Sequence, residues 1–227
     1  MALAREFIER PFVASRLRIL IADDHDLMRR GIKTFLESRP EWKICGEAKT
    51  GYEAVALTKE LAPDIIILDI SMQDLNGIEA ARKIRKESKN TEVLMMSAHY
   101  TDQLMRELFN AGVLGYILKS DPEEDLLAAV ETLAMQKPFF THRAREVIRK
   151  DERGTQAPMA LHTRLTSRER EILQLLAEGR TSREAAHYLG ISFKTADTHR
   201  TNLMKKLGLH NVTELVRYAV RNEIIES

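Results

Sequence analysis

The stretch IIILDISMQDLNGIE, residues 65–79, places four apolar residues in a row ahead of a single acid, Asp69, and then passes into polar, turn-forming residues. A run this short and this uniformly apolar suits a strand buried on both faces, the habit of parallel sheets. Working outward, four similar runs appear: LRILIA (17–22), WKICGEA (42–48), VLMM (93–96) and GYIL (115–118). The stretches between them carry helical spacing, as in Leu27, Ile32, Phe35 and Leu36, or Ala54, Leu57 and Leu61. This alternation predicts a doubly wound (βα)5 parallel-sheet domain of the α/β class over residues 17–136, with 1–16 a short N-terminal extension. Its last helix opens Asp121-Pro122-Glu123-Glu124, which predicts an N-cap at Asp121, proline at the first helical position and a capping box closed by Glu124.

After residue 136 the strand signals stop. Residues 137–163, with Pro138, Gly154, Pro158 and the charged stretch HRAREVIRKDER, read as a linker holding at most a short helix. From 164 to 227 the sequence predicts a small all-α domain of four helices, about 167–178, 182–189, 192–207 and 211–224. Thr166 with Glu169, Thr181 with Glu184 and Asn211 with Glu214 mark helix starts; Gly179, Gly190 and Gly208 mark stops. Gly190-Ile191 is a turn tight enough for a helix-turn-helix.

The net charge of +1 conceals an asymmetry. Residues 1–136 hold 18 Lys and Arg against 23 Asp and Glu, whereas residues 137–227 hold 17 against 11. A basic second half fits a polyanionic partner. No run approaches the ~20 apolar residues of a membrane helix, and residues 1–16 lack the apolar core of a signal peptide. The single Cys45 cannot staple the fold and reads as a small core residue, so a cytoplasmic location is expected.

In an open parallel sheet, ligands bind beyond the carboxyl ends of the strands. Four of the five runs deliver a chemical residue there: Asp23 and Asp24, Asp69, Ser97, and Lys119. Each alone reads as a cap or turn residue; together they describe a pocket. Three converging carboxylates repel unless a cation intervenes, and all-oxygen ligands favour a hard ion such as Mg2+. With Lys119 nearby, such an ion neutralises a phosphoryl group approaching one carboxylate, and attack by that carboxylate gives an acyl phosphate. Asp69, alone at the end of a central strand, is the expected nucleophile, with Ser97 donating its hydroxyl to a phosphoryl oxygen.

At ADDH (22–25), IIILDISMQDLNGIE (65–79), MMSAH (95–99) and GYILKS (115–120) the chain closely resembles the receiver domains of two-component response regulators. The resemblance implies that Asp69 takes the phosphoryl group from a histidine kinase or small phosphodonor, and that Lys119 contacts it. It further implies that Asp24, Asp69 and the backbone carbonyl of Ser71 hold Mg2+, with Asp23 helping directly or through water. Tyr116 matches the family's switch aromatic, which turns inward as the Ser97 hydroxyl moves toward phosphate; as a bare residue it reads as a core aromatic. Gln73 departs from the family's usual proline.

LTSREREILQLLAEGRTSREAAHYLGISFKTADTHRTNLMKKLGL (165–209) resembles the LuxR-type helix-turn-helix of the NarL/FixJ class. The resemblance implies recognition of double-stranded DNA by helix 192–207 and homodimer contacts through the last helix, where Leu215, Val216, Ala219 and Val220 divide between core and contact. On helix 192–207, Ala196, His199, Leu203 and Leu207 share one face, opposite Lys194, Asp197, Thr198, Thr201 and Lys205, with Thr195 beside them and Arg200 and Lys206 at the border. Short polar side chains flanked by cations suit a major groove, and Asp197 is a departure that places an acid there. The expected function is therefore a transcription regulator, not an enzyme, whose dimerisation and DNA binding respond to phosphorylation of Asp69. Two rivals are a Mg2+-dependent phosphohydrolase, which usually needs a second acid where Ser71 stands, and an unphosphorylated receiver serving as a protein-interaction or ligand module.

Overall fold

The computed structural model describes residues 16–140, 165–222 and 224–225. All but the last residue of the expected 1–16 extension, most of the linker with its HRAREVIRKDER stretch, and the end of the chain lie outside the described residues. The first domain runs β1 (Leu17–Ala22), α1 (Asp26–Glu37), β2 (Trp42–Ala48), α2 (Gly51–Leu61), β3 (Ile65–Asp69), α3 (Gly77–Glu87), β4 (Glu92–Ser97), α4 (Asp102–Asn110), β5 (Gly115–Leu118) and α5 (Glu123–Ala134). The sheet is parallel throughout in the order β2-β1-β3-β4-β5, as the (βα)5 reading requires.

Every residue of β3 is buried. Ile66 and Leu68 join the core beneath α2, α3 and α4, while Ile65 and Ile67 join the core beneath α1 and α5. Helices therefore cover both faces of the central strand, which is why its sequence does not alternate. The strand order reverses between β1 and β3, so their carboxyl ends open on the crevice where this architecture binds ligands.

The start of α5 differs from the expectation. Pro122 is the N-cap and no side chain caps it; Asp121 instead turns back, and its carboxylate accepts a hydrogen bond from the Leu118 N–H at 2.7 Å. A carboxylate three residues past a strand's end can turn back onto the N–H of the strand's last residue instead of capping the helix. Packing on the first domain also continues past residue 136. Phe139 bridges Gly115 in parallel, and Phe140 is buried in the core beneath α2–α4.

The second domain comprises α6 (Ser167–Ala177), α7 (Ser182–Tyr188), α8 (Phe193–Leu207) and α9 (Val212–Arg221). Thr166 with Glu169 and Thr181 with Glu184 form complete capping boxes, and Asn211 caps α9 by accepting from the Glu214 N–H. Gly190, between α7 and α8, has φ +62°, a left-handed conformation that suits glycine at a tight turn. Ala196, Leu203 and Leu207 of α8 pack with Leu215 and Ala219 of α9 in one core. The two domains touch where α6 and α7 meet the loop between β3 and α3.

Candidate functional site

The pocket is assembled by backbone geometry before any side chain acts. The Lys119 N–H donates to the Ser97 carbonyl at 2.7 Å and the Asp23 N–H to the Ala48 carbonyl at 3.2 Å, which aligns the ends of β5 with β4 and of β1 with β2. Gly77, at the start of α3, lies so close that a Cβ would sit 2.0 Å from the Asp69 carbonyl oxygen. Only glycine allows the helix to begin directly beneath the acid.

Lys119 Nζ lies 2.9 Å from Asp69 Oδ1 and 3.0 Å from Asp23 Oδ2. Asp69 and Asp23 are each only 1% exposed. Burial, and then the Asp23 charge, push the Asp69 carboxyl up to about 6 against the pull of Lys119. Burial also works against the charge of Lys119, but Asp69 and Asp23 outweigh it and hold the ammonium above its ordinary range. At neutral pH the pocket therefore sets an ionised Asp69 against the Lys119 ammonium. Asp69 Oδ2 is buried and accepts no hydrogen bond.

One ligand atom from each of Asp23, Asp24, His25 and Asp69 lies within 4.8 Å of the others. Three clustered carboxylates, two of them against one ammonium, with an orphaned oxygen on buried Asp69, fit a small hard divalent cation such as Mg2+. His25 was not singled out from sequence; its Nδ1 lies 2.8 Å from Asp24 Oδ1 and 3.3 Å from Asp23 Oδ1. The adjacency in ADDH was the only available signal. Arg29 was missed as well. It is buried, donates to the Asp23 carbonyl at 2.7 Å and meets Asp26 and Glu47, so it pins the turn that presents both acids. Ser71 stands two residues beyond Asp69, half-buried.

Ser97 and Tyr116 meet on one residue. The Ser97 oxygen accepts from the His99 N–H at 3.1 Å, and the Tyr116 hydroxyl donates to the His99 carbonyl at 2.8 Å. Tyr116 is fully buried and packs edge-on against Tyr100 at 6.3 Å. The hydroxyl at the pocket and the aromatic ring beneath the surface thus share the loop between β4 and α4.

In the second domain, Lys194, Thr195, Thr198, Thr201, Lys205 and Lys206 are exposed along α8, with Asp197 and Arg200 half-exposed. Two of these have partners that sequence did not foretell. Lys206 pairs with Glu169 at 2.7 Å, and Arg200 lies 3.6 Å from Asp197. The Thr195 hydroxyl is engaged with Ser192 at the helix cap, and the Thr198 hydroxyl donates to the Lys194 carbonyl. On α9, Leu215 and Ala219 are buried while Val216 and Val220 are half-exposed.

The chain matches the response regulator receiver domain family over residues 19–131 and the luxR family of bacterial regulatory proteins over 163–219. It is 34% identical to the transcriptional regulatory protein LiaR of Bacillus subtilis over 209 residues, covering 92% of this chain and 99% of that protein. It is also 34% identical to the response regulator protein VraR of Staphylococcus aureus over 210 residues, covering 92% and 99%. Its fold matches that of RcsB from Salmonella enterica serovar Typhimurium, solved bound to the promoter rprA with a phosphomimetic, at a TM-score of 0.61 and 23% identity, over 89% of this chain and 98% of that one. Among the described residues no helix is long and apolar enough to cross a membrane. The protein belongs to the two-component response regulators that join a receiver domain to a LuxR-type DNA-binding domain and regulate transcription.

Proposed function

We propose that Asp69 accepts a phosphoryl group from a cognate histidine kinase, in the cytoplasm, and that this modification controls homodimerisation and the binding of α8 to double-stranded DNA. The observation that carries the reading is the buried Asp69 carboxylate, with one oxygen on Lys119 Nζ at 2.9 Å and the other unpartnered. With its carboxyl titrating at about 6, Asp69 is ionised at neutral pH and can act as the nucleophile. An Asp69 oxygen attacks phosphorus, the bond from phosphorus to the donor breaks, and the departing donor group takes up a proton. Lys119 follows the charge from carboxylate to phosphoryl oxygen, and the Ser97 hydroxyl donates to a second phosphoryl oxygen.

Asp24, Asp69 and the Ser71 carbonyl would hold Mg2+, with Asp23 direct or through water. When bound, Mg2+ supplies charge neutralisation between the carboxylates and the phosphoryl oxygens. Movement of Ser97 toward phosphate pulls on His99, whose carbonyl holds Tyr116, and so reaches α4 and β5. In the second domain, Lys194, Asp197, Thr198, Thr201 and Lys205 share the face offered to a major groove, with Thr195 beside them and Arg200 and Lys206 at its border. Of Leu215, Val216, Ala219 and Val220, only Val216 and Val220 stay partly exposed for a dimer contact. Intact-mass analysis after incubation with acetyl phosphate and Mg2+ tests the reading. Wild type should gain one phosphoryl group and Asp69→Asn none; equal labelling of both would overturn it.

A further inference from the structure

The loop between β3 and α3, residues 70–76, carries the backbone that must serve the metal pocket, yet its partners lie about a hundred residues away. The Met72 carbonyl accepts from Gln174 Nε2 at 2.9 Å, and the Asn76 N–H donates to Gln174 Oε1 at 2.7 Å. The Asp74 N–H donates to Glu178 at 2.9 Å, and Glu178 also accepts from Gln174 at 2.8 Å. Residues 72, 74 and 76 thus present alternate backbone groups to two side chains one turn apart at the end of α6, much as a strand edge would. Gln174 is 1% exposed, so these bonds replace water rather than compete with it.

Asp74 is the centre of the contact. It is a non-glycine residue at φ +67°, and its two oxygens hold the second domain separately: Arg180 at 2.6 Å and the Tyr188 hydroxyl at 2.7 Å. Arg180 also lies over the Tyr188 ring, at 4.9 Å, and that ring meets Tyr52 of α2 at 5.7 Å. Arg170 binds Glu79, and Lys83 lies 2.8 Å from Glu171, extending the contact along α3. The exposed face of α8 takes no part in it, so docking does not cover the DNA-facing side chains.

We infer that docking of the DNA-binding domain on this loop preorganises the metal cradle, with Gln174, Glu178, Arg180 and Tyr188 as positioning residues for Asp69 and the Ser71 carbonyl. The inference rests on the phospho-acceptor reading above and extends it to the second domain. The sign of the coupling follows from ordering. A loop already fixed by α6 loses less freedom when a cation binds its first residues, so the two events favour one another. The docked arrangement is also cation-ready, since the ligand atoms of Asp23, Asp24, His25 and Asp69 already lie within 4.8 Å of one another. Coupling of this kind is reciprocal: Mg2+ should tighten docking as docking tightens Mg2+.

Calorimetric titration of the full chain with Mg2+ tests the inference, comparing wild type with Arg180→Ala combined with Tyr188→Phe, and with Gln174→Ala. Arg180 is partly exposed, so the first variant removes the latch while sparing the domain core, and DNA binding monitors the fold of both variants. Affinity for Mg2+ should fall about fivefold or more in each. Hydrogen exchange over residues 70–77 should slow on adding Mg2+ to wild type and quicken in the variants without Mg2+. Unchanged Mg2+ affinity in variants that still bind DNA would overturn the inference alone. Failure of the wild type to bind Mg2+ would remove the phospho-acceptor reading and the inference with it.

Discussion

Gly77 and Gly31 are both helical glycines of the receiver, yet opposite outcomes are expected on adding one methyl group. At Gly77 the new Cβ would meet the Asp69 carbonyl oxygen at 2.0 Å and its carbon at 2.9 Å, backbone atoms that cannot swing aside. Gly77→Ala should therefore cost about 1–3 kcal/mol in urea unfolding, the usual penalty of overpacking, and should reduce phosphoryl uptake by displacing Asp69. At Gly31, within α1, nothing lies within 4 Å, so alanine there should stabilise by about 0.5–1 kcal/mol by removing backbone freedom from the unfolded chain. The meeting of the three acids with Lys119 was legible because a strand's end fixes where a residue points. Arg29 and His25 were not, because a buried cation on an apolar helix face and a histidine after two acids announce no partner until the turn that joins them is built. Lys206 stands at the border of the DNA-facing stripe, and nothing local foretells that Glu169, 37 residues earlier, pairs with it.

Among the elements, α6 shows how much one capping residue can hold. The Glu169 carboxylate accepts from the Thr166 N–H at 2.7 Å, from its hydroxyl at 3.1 Å and from Lys206 Nζ at 2.7 Å. Burial raises its affinity for a proton, but Lys206 and the Thr166 donors outweigh burial and hold the carboxyl below its ordinary value of 4.5. A depressed carboxylate stabilises the fold above the unfolded value and loses that contribution as pH falls through the folded one. Thermal unfolding followed by circular dichroism should thus place Glu169→Gln below wild type at pH 7, with the gap closing below about pH 4.5. Helix starts of this kind were readable because a Thr-x-x-Glu pattern satisfies its own backbone locally. The start of α5 was not, since the Asp121 carboxylate takes the N–H of Leu118 and leaves the helix uncapped by a side chain.

At the scale of the whole molecule, the division into an α/β domain and an all-α domain followed from the change of period after residue 136. The contact between the two did not. Gln174 and Glu178 sit on a helix end where polar residues ordinarily face water, and their partners in the loop over residues 72–76 are separated from them by about a hundred positions. No local pattern encodes such a meeting. The central claim is that phosphorylation of Asp69, in the first domain, controls DNA binding by the second. Gel-shift titration of promoter DNA with wild type and Asp69→Ala, each with and without acetyl phosphate and Mg2+, tests it most directly. The account predicts a change in apparent affinity on phosphodonor treatment for wild type and none for the variant. Identical behaviour of the two proteins under both conditions would contradict it.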